Sequence, residues 1–487
     1  MRLSRPKSIH ASRLRTLLKG AITPVAAILA AGVLGGRPAH AQGLARTTWD
    51  SVAHSVFKEL IEINTSESSG SSAQAAKAMA ARLKAAGFPD SDVVVVEHAP
   101  KKGNLIARLH GKDPSKKPIL LLSHLDVVEA KPEDWTLPPF TFIEKDSTFY
   151  GRGVADDKDD GAMDLTILMR LKAEGYVPDR DIVVAMTADE EGGAANGVAW
   201  LLEHRPELLR AEYAFNEGGG GRVKDGKYVS HDIQASEKKF QTFILEATNP
   251  GGHSSVPVKD NAITQLATAL VRVGAFDFPV HLNDITRTYF ERSASITPGA
   301  MGKAMAAIVK NPGDAAAATT LSTDPRYNSQ LRTSCVATML EGGHARNALP
   351  QRARGYVNCR ILPDELPDDI QKTLVRVVGD AKVTVAPENS AVNSPPSPLT
   401  PDLFNEIERI TKEMWPGIPV IPTMSTGATD GLYLRNAGTP VYGVSGFFYP
   451  ETFAHGMNER IPQKAFYDGL EFMYRLVKSV SAKKTIS

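Results

Sequence analysis

Pro118-Ile-Leu-Leu-Leu-Ser-His124-Leu-Asp126 couples an apolar run to a polar His-x-Asp ending. Its apolar run is short and bounded by a proline, so it reads as a strand buried on both faces, the kind found in a parallel sheet. Asp181-Ile-Val-Val-Ala-Met186 and Tyr213-Ala-Phe215 have the same character. Each run leads into acidic or histidine residues: Ser-His124-Leu-Asp126 after the first, Asp189-Glu190-Glu191-Gly after the second, Asn216-Glu217-Gly after the third. Ligands of open α/β sheets collect beyond the carboxyl ends of the strands, which is where His124, Glu190, Glu191 and Glu217 are expected. Asp156 fits the same picture. It precedes Asp160–Leu171, whose Met163, Ile167 and Leu171 recur at helical spacing, with Gly175 as the cap. A late Ala-His455-Gly completes the set.

The pattern suggests a two-metal hydrolase site. His124 and Asp126 are two apart, so on an extended segment they face one side, where a carboxylate can orient a liganding imidazole. Three consecutive carboxylates at 189–191 repel one another at a buried strand end unless cations compensate. Taken singly, each motif has a plainer reading. The 189–191 run suits a solvated acidic turn, Lys158 suits neutralisation of Asp156 and Asp157, and the glycines after Glu217 suit a flexible turn.

Length and composition leave room for two domains of an ordinary globular protein: 487 residues, 42% apolar and 23% charged. A net charge of +1 gives no reason to expect a nucleic-acid or membrane-surface partner. The N-terminus reads as a secretory signal. Arg2, Arg5, Lys7, Arg13, Arg15 and Lys19 precede the apolar stretch Ala21–Gly36, and Pro38-Ala39-His40-Ala41 offers an Ala-x-Ala cleavage pattern. The alternative, an uncleaved anchor, is disfavoured because this stretch carries Pro24 and Gly32 and falls short of the ~20 residues of a span. Residues 1–41 are therefore expected to be removed, leaving an exported chain, most simply periplasmic in a bacterium and free of the membrane. In such a compartment Cys335 and Cys359, which lie in two strand-like runs, form either a disulfide or two buried thiols.

The catalytic motifs bracket a segment of different character. From Lys238 the chain reads strand (Phe240–Ala247), helix (Asn261–Val273), two cysteine-bearing strands, helix (Pro367–Val378) and strand (Lys382–Ala386), and it exits through the proline-rich Asn393–Pro398. Residues 275–330 within it read as irregular, with the Ala-rich 315–318 a helix or loop without chemistry. The expected class is α/β. A catalytic domain of mainly parallel sheet flanked by helices (42–237 and 394–487) carries an inserted α+β lid and dimerisation domain (238–393). Helix Asp402–Met414 and strand Pro440–Val444 close the first domain.

In joint order, SHLDVV, GRGVADDKD, ADEEGG, NEGG, GGHSS, GHARNALP and FAHGMNERIP resemble the co-catalytic zinc exopeptidases. That family includes carboxypeptidase S, glutamate carboxypeptidase, aminoacylase and succinyl-diaminopimelate desuccinylase. The likeness runs from residue 124 to 462 and is greatest to the carboxypeptidase S branch, through GHARNALPQRARGYVNCRILP and the NEGG form. It implies two divalent ions per chain, zinc or else cobalt or manganese, with Asp156 bridging them. His124 and Glu217 would complete one ion and Glu191 and His455 the other, with Glu190 as general base and Asp126 orienting His124. It also implies a homodimer through the inserted domain, in which His253 reaches the partner's site to steady the oxyanion. Asn347, Arg360 and the backbone at Gly427 would receive a substrate carboxylate, although a structural ion pair is the other reading of Arg360. The expected substrate is a small peptide cut next to a free carboxylate, carboxypeptidase or dipeptidase fashion; the alternatives are an N-acyl amino acid or, with catalysis lost, a mere binding protein.

Overall fold

The three decisive runs form adjacent strands at the centre of a ten-stranded sheet. In the computed structural model, which describes residues 47–482 except Gly193 and Glu451, Ile119–His124 lies between Ile182–Thr187 and Tyr213–Asn216 and is parallel to both. Val441–Gly443 extends the parallel block beyond Tyr213–Asn216. The expected leader, 1–41, lies outside the described residues. Antiparallel strands flank the block: Val93–Ala99 and Lys102–Leu109 at one end, Lys227–Glu237 with Gly220–Lys224 at the other.

Every residue of the three central strands is buried, and alternation sends successive side chains into two different cores. Ile119, Leu121, Val184, Met186 and Phe215 pack with helices Thr48–Glu62, Lys158–Ala173 and Gln463–Ser481. Leu120, Leu122, Val183, Ala185 and Ala214 pack on the other face with Val198, Leu201 and Leu434. A strand covered on both faces has no use for the polar alternation of a half-exposed one, which is why the runs are continuously apolar. Gly175, at φ 63°, sits in the left-handed region just past the helix Lys158–Ala173, as the cap reading expected.

The lid is a separate antiparallel sheet ordered Ser334–Gly342, Arg352–Ile361, Lys239–Thr248, Val383–Pro387. Helices Ala262–Gly274 and Pro367–Val378 cover it, and its core forms from Phe243, Leu245, Leu266, Val357 and Leu374. Cys335 and Cys359 face each other in register and are joined as a disulfide, with Cα atoms 4.1 Å apart.

Residues 275–330 depart from expectation. They are largely helical, as Asp284–Ile296, Gly299–Lys310, Ala315–Leu321 and Pro325–Leu331. Three of the four starts are fixed by side chains: Asn283, Asp314 and Asp324 each accept a backbone N–H of the first turn, and Pro325 occupies a first-turn position where no donor is needed. Tyr289, Phe290, Met305, Ile308, Leu321 and Leu331 pack together and against Ile421, on a strand (Val420–Ser425) of the large sheet. This helical segment, although it lies between lid strands in sequence, is therefore anchored on the catalytic sheet.

Candidate metal centre

The carboxyl ends of the parallel strands deliver His124, Glu190, Glu191 and Glu217 to one place. Asp156 and His455 arrive there by another route. Arg460–Pro462, Thr148–Tyr150 and Ile143–Lys145 make a small antiparallel sheet, which sets the loops carrying Asp156 and His455 side by side. Glu459 locks them together. Its carboxylate accepts the Ala155 N–H at 2.8 Å and an Arg152 donor at 2.5 Å, while Arg152 also donates to the Gly456 carbonyl at 3.0 Å. His455 itself stands at φ 61°, a strained conformation for a residue with a Cβ.

The resulting geometry is centred on Asp156. One carboxylate oxygen lies 3.1 Å from His124 Nε2 and the other 3.0 Å from His455 Nε2. His455 Nε2 is also 3.0 Å from a Glu191 oxygen. Donor atoms of His124, Asp156 and Glu191 fall within 4.8 Å of one another, as do those of His124, Glu190 and Glu217. His124, Asp156, Glu191, Glu217 and His455 thus converge with Glu190 on one cleft.

Asp126 sits beneath them in a different role from the one expected. The His124 Nδ1–H is directed at the Asp126 main-chain carbonyl, 3.0 Å away, whereas the Asp126 carboxylate is 3.8 Å from that nitrogen. The carboxylate instead accepts the backbone N–H groups of Glu190 and Glu191 at 3.1 and 3.0 Å. Asp126 fixes His124 through its backbone and aims both glutamates through its side chain. Asp189, the first acid of the run, turns away at φ 69° to pair with Lys102 and to accept the Ala195 N–H.

The electrostatics call for cations. Burial, with the negative charge of Asp430, Glu191 and Asp126 and against the pull of His124, pushes Glu190 up to about 8. Burial likewise holds Glu217 well above the usual carboxylate range. Burial opposes ionisation of Asp156 as well, yet the hydrogen bonds from His124 and His455 outweigh it and keep this carboxyl below that range. Hydrogen bonds to Asp156 and Glu191 raise His455 to about 10. Lys158 does not neutralise the acids, because its Nζ donates to the Leu60 and Ile63 carbonyls, 2.9 Å away. So many half-buried carboxylates, with imidazoles as their side-chain cations, fit a pair of divalent ions: the donor set is one of oxygen and imidazole nitrogen.

Sequence reasoning missed three supporting residues. Asp157 accepts the His124 backbone N–H at 3.0 Å. Asp430 is buried, accepts from Thr187 Oγ1 and Asn196 Nδ2 at 3.1 and 2.6 Å, and is pushed by burial up to about 6. Glu459 is the third. Asp157 stood in the acidic pair with Asp156 but without this role, and neither Asp430 nor Glu459 stands at the end of an apolar run beside a histidine or a second glutamate, so pattern alone did not mark those two out.

The residues expected to bind substrate lie elsewhere. His253 is exposed on a two-residue ladder with Ala348–Leu349, its Nδ1 2.7 Å from Ser255 Oγ. Asn347 adjoins it, its carbonyl accepting the Ser254 N–H at 3.0 Å. Arg360, in the lid sheet, holds its guanidinium 5.0 Å from the Phe240 ring centroid, a ring contact in place of the ion pair considered above. Among the described residues no hydrogen bond or ion pair joins these three to the cluster. Gly427 sits in an exposed turn with its N–H on Ser425 Oγ at 3.0 Å, and buried Glu237 holds that turn by accepting from Thr429 N and Oγ1, both at 3.0 Å.

A cavity of about 900 Å³ opens from Asp156 and Glu217. One wall is the strand Gly220–Lys224 with Gly218 and Gly219 before it; the opposite wall comes from the helices at 284–296 and 325–331.

Comparison with known proteins agrees with this geometry. The chain is 28% identical over 387 residues to the human N-fatty-acyl-amino acid synthase/hydrolase PM20D1, covering 76% of each. It is 27% identical over 391 residues to a probable carboxypeptidase S-like protein of Dictyostelium discoideum, covering 77% of this chain and 74% of that one. Its fold matches an M20 family metallo-carboxypeptidase from Sulfolobus solfataricus with a TM-score of 0.64 at 18% identity, over 88% of this chain and 99% of the other. The model of peptidase family M20/M25/M40 matches residues 120–479, and the chain is a hydrolytic enzyme belonging to that family.

Proposed function

We propose that the protein is an exported two-metal exopeptidase that cleaves the amide next to the free carboxylate of a small peptide, in the manner of a carboxypeptidase or dipeptidase. The observation that carries this reading is the shared placement of Asp156 between His124 and His455, with Glu190 and Glu191 beside it. Asp156 would bridge two divalent ions, most simply zinc, one completed by His124 and Glu217 and the other by Glu191 and His455. When bound, such ions polarise the amide carbonyl and lower the pKa of water. Glu190, not needed as a ligand, takes the proton of the attacking water and passes it to the leaving amine.

The domain division 42–237 with 394–487, and 238–393 as an inserted lid whose 284–331 helices pack back on the catalytic sheet, belongs to this proposal. So does dimerisation through the lid, for which two features speak. The strand Ser334–Gly342 is an edge strand exposing Val336, Met339 and Leu340, and the lid helix beside it exposes Ile263 and Val271. In such a dimer His253 and Asn347 would serve the partner's metals, and Arg360 and the Gly427 turn would take the substrate carboxylate. Export is supported by the N-terminal basic and apolar pattern and by the Cys335–Cys359 disulfide. Among the described residues no helix is long and apolar enough to cross a membrane. The relatives keep N-acyl amino acids in view as the second substrate class.

The test is amide cleavage by the mature chain with and without a chelator. We expect hydrolysis of dipeptides or N-acyl amino acids that chelation abolishes and zinc, cobalt or manganese restores, with about two ions per chain. Binding of such ligands without turnover in metal-replete protein would instead support a non-catalytic binding protein.

A further inference from the structure

We propose that Asp430 is a positioning residue that holds the loop carrying Glu190 in register with the turn at Gly427, so that a substrate seated by its carboxylate presents its amide to that base. This rests on the exopeptidase reading above and concerns how the same site ties binding to turnover.

Two segments have to be aligned for such a reaction, and both are fastened to one dipeptide. Asp430 is 3% exposed, and its carboxylate accepts from Thr187 Oγ1 at 3.1 Å and from Asn196 Nδ2 at 2.6 Å. Thr187 is the last residue of the strand Ile182–Thr187, and Asn196 caps the helix Gly197–His204 by accepting the Ala199 N–H at 2.9 Å. The loop bearing Glu190 and Glu191 runs between these two residues. Asp430 therefore grips it at both ends, while the Asp126 carboxylate holds its middle. Asp430 also opens the helix Gly431–Asn436, yet it makes no side-chain cap there, so its carboxylate serves the neighbouring loop and not its own helix.

Thr429, the preceding residue, makes the other set of ties. Its N–H and hydroxyl both donate to Glu237, a fully buried carboxylate that also accepts from Arg435 Nη1 at 2.7 Å and Ser394 Oγ at 3.0 Å. Thr429 Oγ1 accepts in turn from Asn216 Nδ2 at 3.2 Å, one residue before Glu217. The turn that leads from Ser425 to Thr429 is thus anchored in the interior, and its Ser425 and Thr426 line the same cavity as Asp156 and Glu217. Consecutive Cα atoms lie about 3.8 Å apart, so turn and loop cannot slide past each other without breaking one of these buried contacts. Binding a remote group raises kcat only when it orients the reacting one, and a shift of about 1 Å can cost about a hundredfold in rate.

The experiment compares an N-acetyl dipeptide with a free C-terminal carboxylate and the same peptide ending in a carboxamide, both read by cleavage of the same internal amide. In wild-type protein loaded with zinc, kcat for the carboxylate form should exceed that for the carboxamide by about tenfold or more. In Asp430→Ala, kcat for the carboxylate form should fall by about tenfold or more with KM within about threefold and metal content unchanged, and the carboxylate-to-carboxamide ratio of kcat should approach one. Because that ratio is taken within one protein, a loss of folded protein does not mimic it. Asn196→Ser keeps a capping oxygen for its helix and gives up one of the two ties, so it should show the same split to a lesser degree and stands in should Asp430→Ala not fold. A kcat ratio that the variants leave unchanged, or activity lost only together with metal, overturns the inference while the exopeptidase reading stands. A wild-type protein that does not favour the carboxylate form overturns the exopeptidase reading and the inference with it.

Discussion

His124, Asp156, Glu190, Glu191, Glu217 and His455 meet beyond the carboxyl ends of the central strands, whereas His253, Asn347 and Arg360 belong to the lid and, among the described residues, make no polar contact with them. The first group is assembled by short-range means. Three strands end together because they are paired in register, and a three-stranded sheet with Glu459 brings in the remaining two loops. The second group is held by local pairings, His253 in a two-residue ladder with Ala348–Leu349 and Arg360 in the four-stranded lid sheet. The residues of the cluster are thus fixed by one sheet and its loops, while whatever the lid residues contribute to catalysis rests on the dimer proposed above.

The largest effect expected from this contrast is that of Asp156→Ala. Both histidines lose their common partner, and two ions lose a shared ligand. Metal content should fall from about two ions per chain toward none, and activity should drop well beyond the roughly 10–100-fold cost of removing a residue that merely supports a ligand. Retention of both ions, measured by elemental analysis, would remove Asp156 from the centre of the site. Next in size is Glu190→Gln. Turnover should fall by about a hundredfold or more with metal content kept, since general-base assistance is worth that much. Near-normal turnover in a metal-replete variant would mean that another group handles the proton.

What could be read in advance follows the same division. Ile119–His124 and Ile182–Thr187 announced themselves because a strand buried on both faces must be apolar throughout, and the residue that breaks the run is forced to the strand's end. The same logic placed Glu217. Asp430 and Glu459 escaped notice because they act by hydrogen bonds between segments remote in sequence, as Asp430 does with Thr187 and Asn196. The helices of 284–331 were missed for another reason. Small and polar residues such as Gly299, Gly302, Thr319 and Thr320 dilute the apolar period, and the tertiary contact with Ile421 selects the helical state. Asp126 shows the limit of spacing arguments: the i, i+2 relation to His124 was right, yet the atom that reaches the ring is a backbone oxygen.

A smaller effect, and the sharpest test of the lid residues, concerns His253. If a partner subunit carries it to the metals, His253→Ala should lose about a hundredfold in turnover at unchanged metal content, as removal of one oxyanion donor does. Mixing Glu190→Gln with His253→Ala subunits should then recover part of the activity, since a mixed dimer retains one site with an intact Glu190 and a His253 supplied in trans. No recovery after verified subunit exchange would confine His253 to its own chain or to no role at all.

The least effect on chemistry is expected from the lid's own covalent tie. The disulfide joins the edge strand Ser334–Gly342 to the central lid strand Arg352–Ile361, in a sheet other than the one that carries the cluster. Closing a loop between residues 24 apart restricts the unfolded chain by about 3 kcal/mol. Because the lid has a hydrophobic core of its own, apart from those on either face of the large sheet, that stabilisation should be felt locally. Replacing both cysteines by serine should therefore speed hydrogen exchange of the amides of Arg352–Ile361 while those of Ile119–His124 keep their protection and the metal content stays the same. Equal loss of protection in both sheets would show that lid and catalytic sheet unfold as one unit, and the distinction between a self-contained cluster and a separately placed lid would fail.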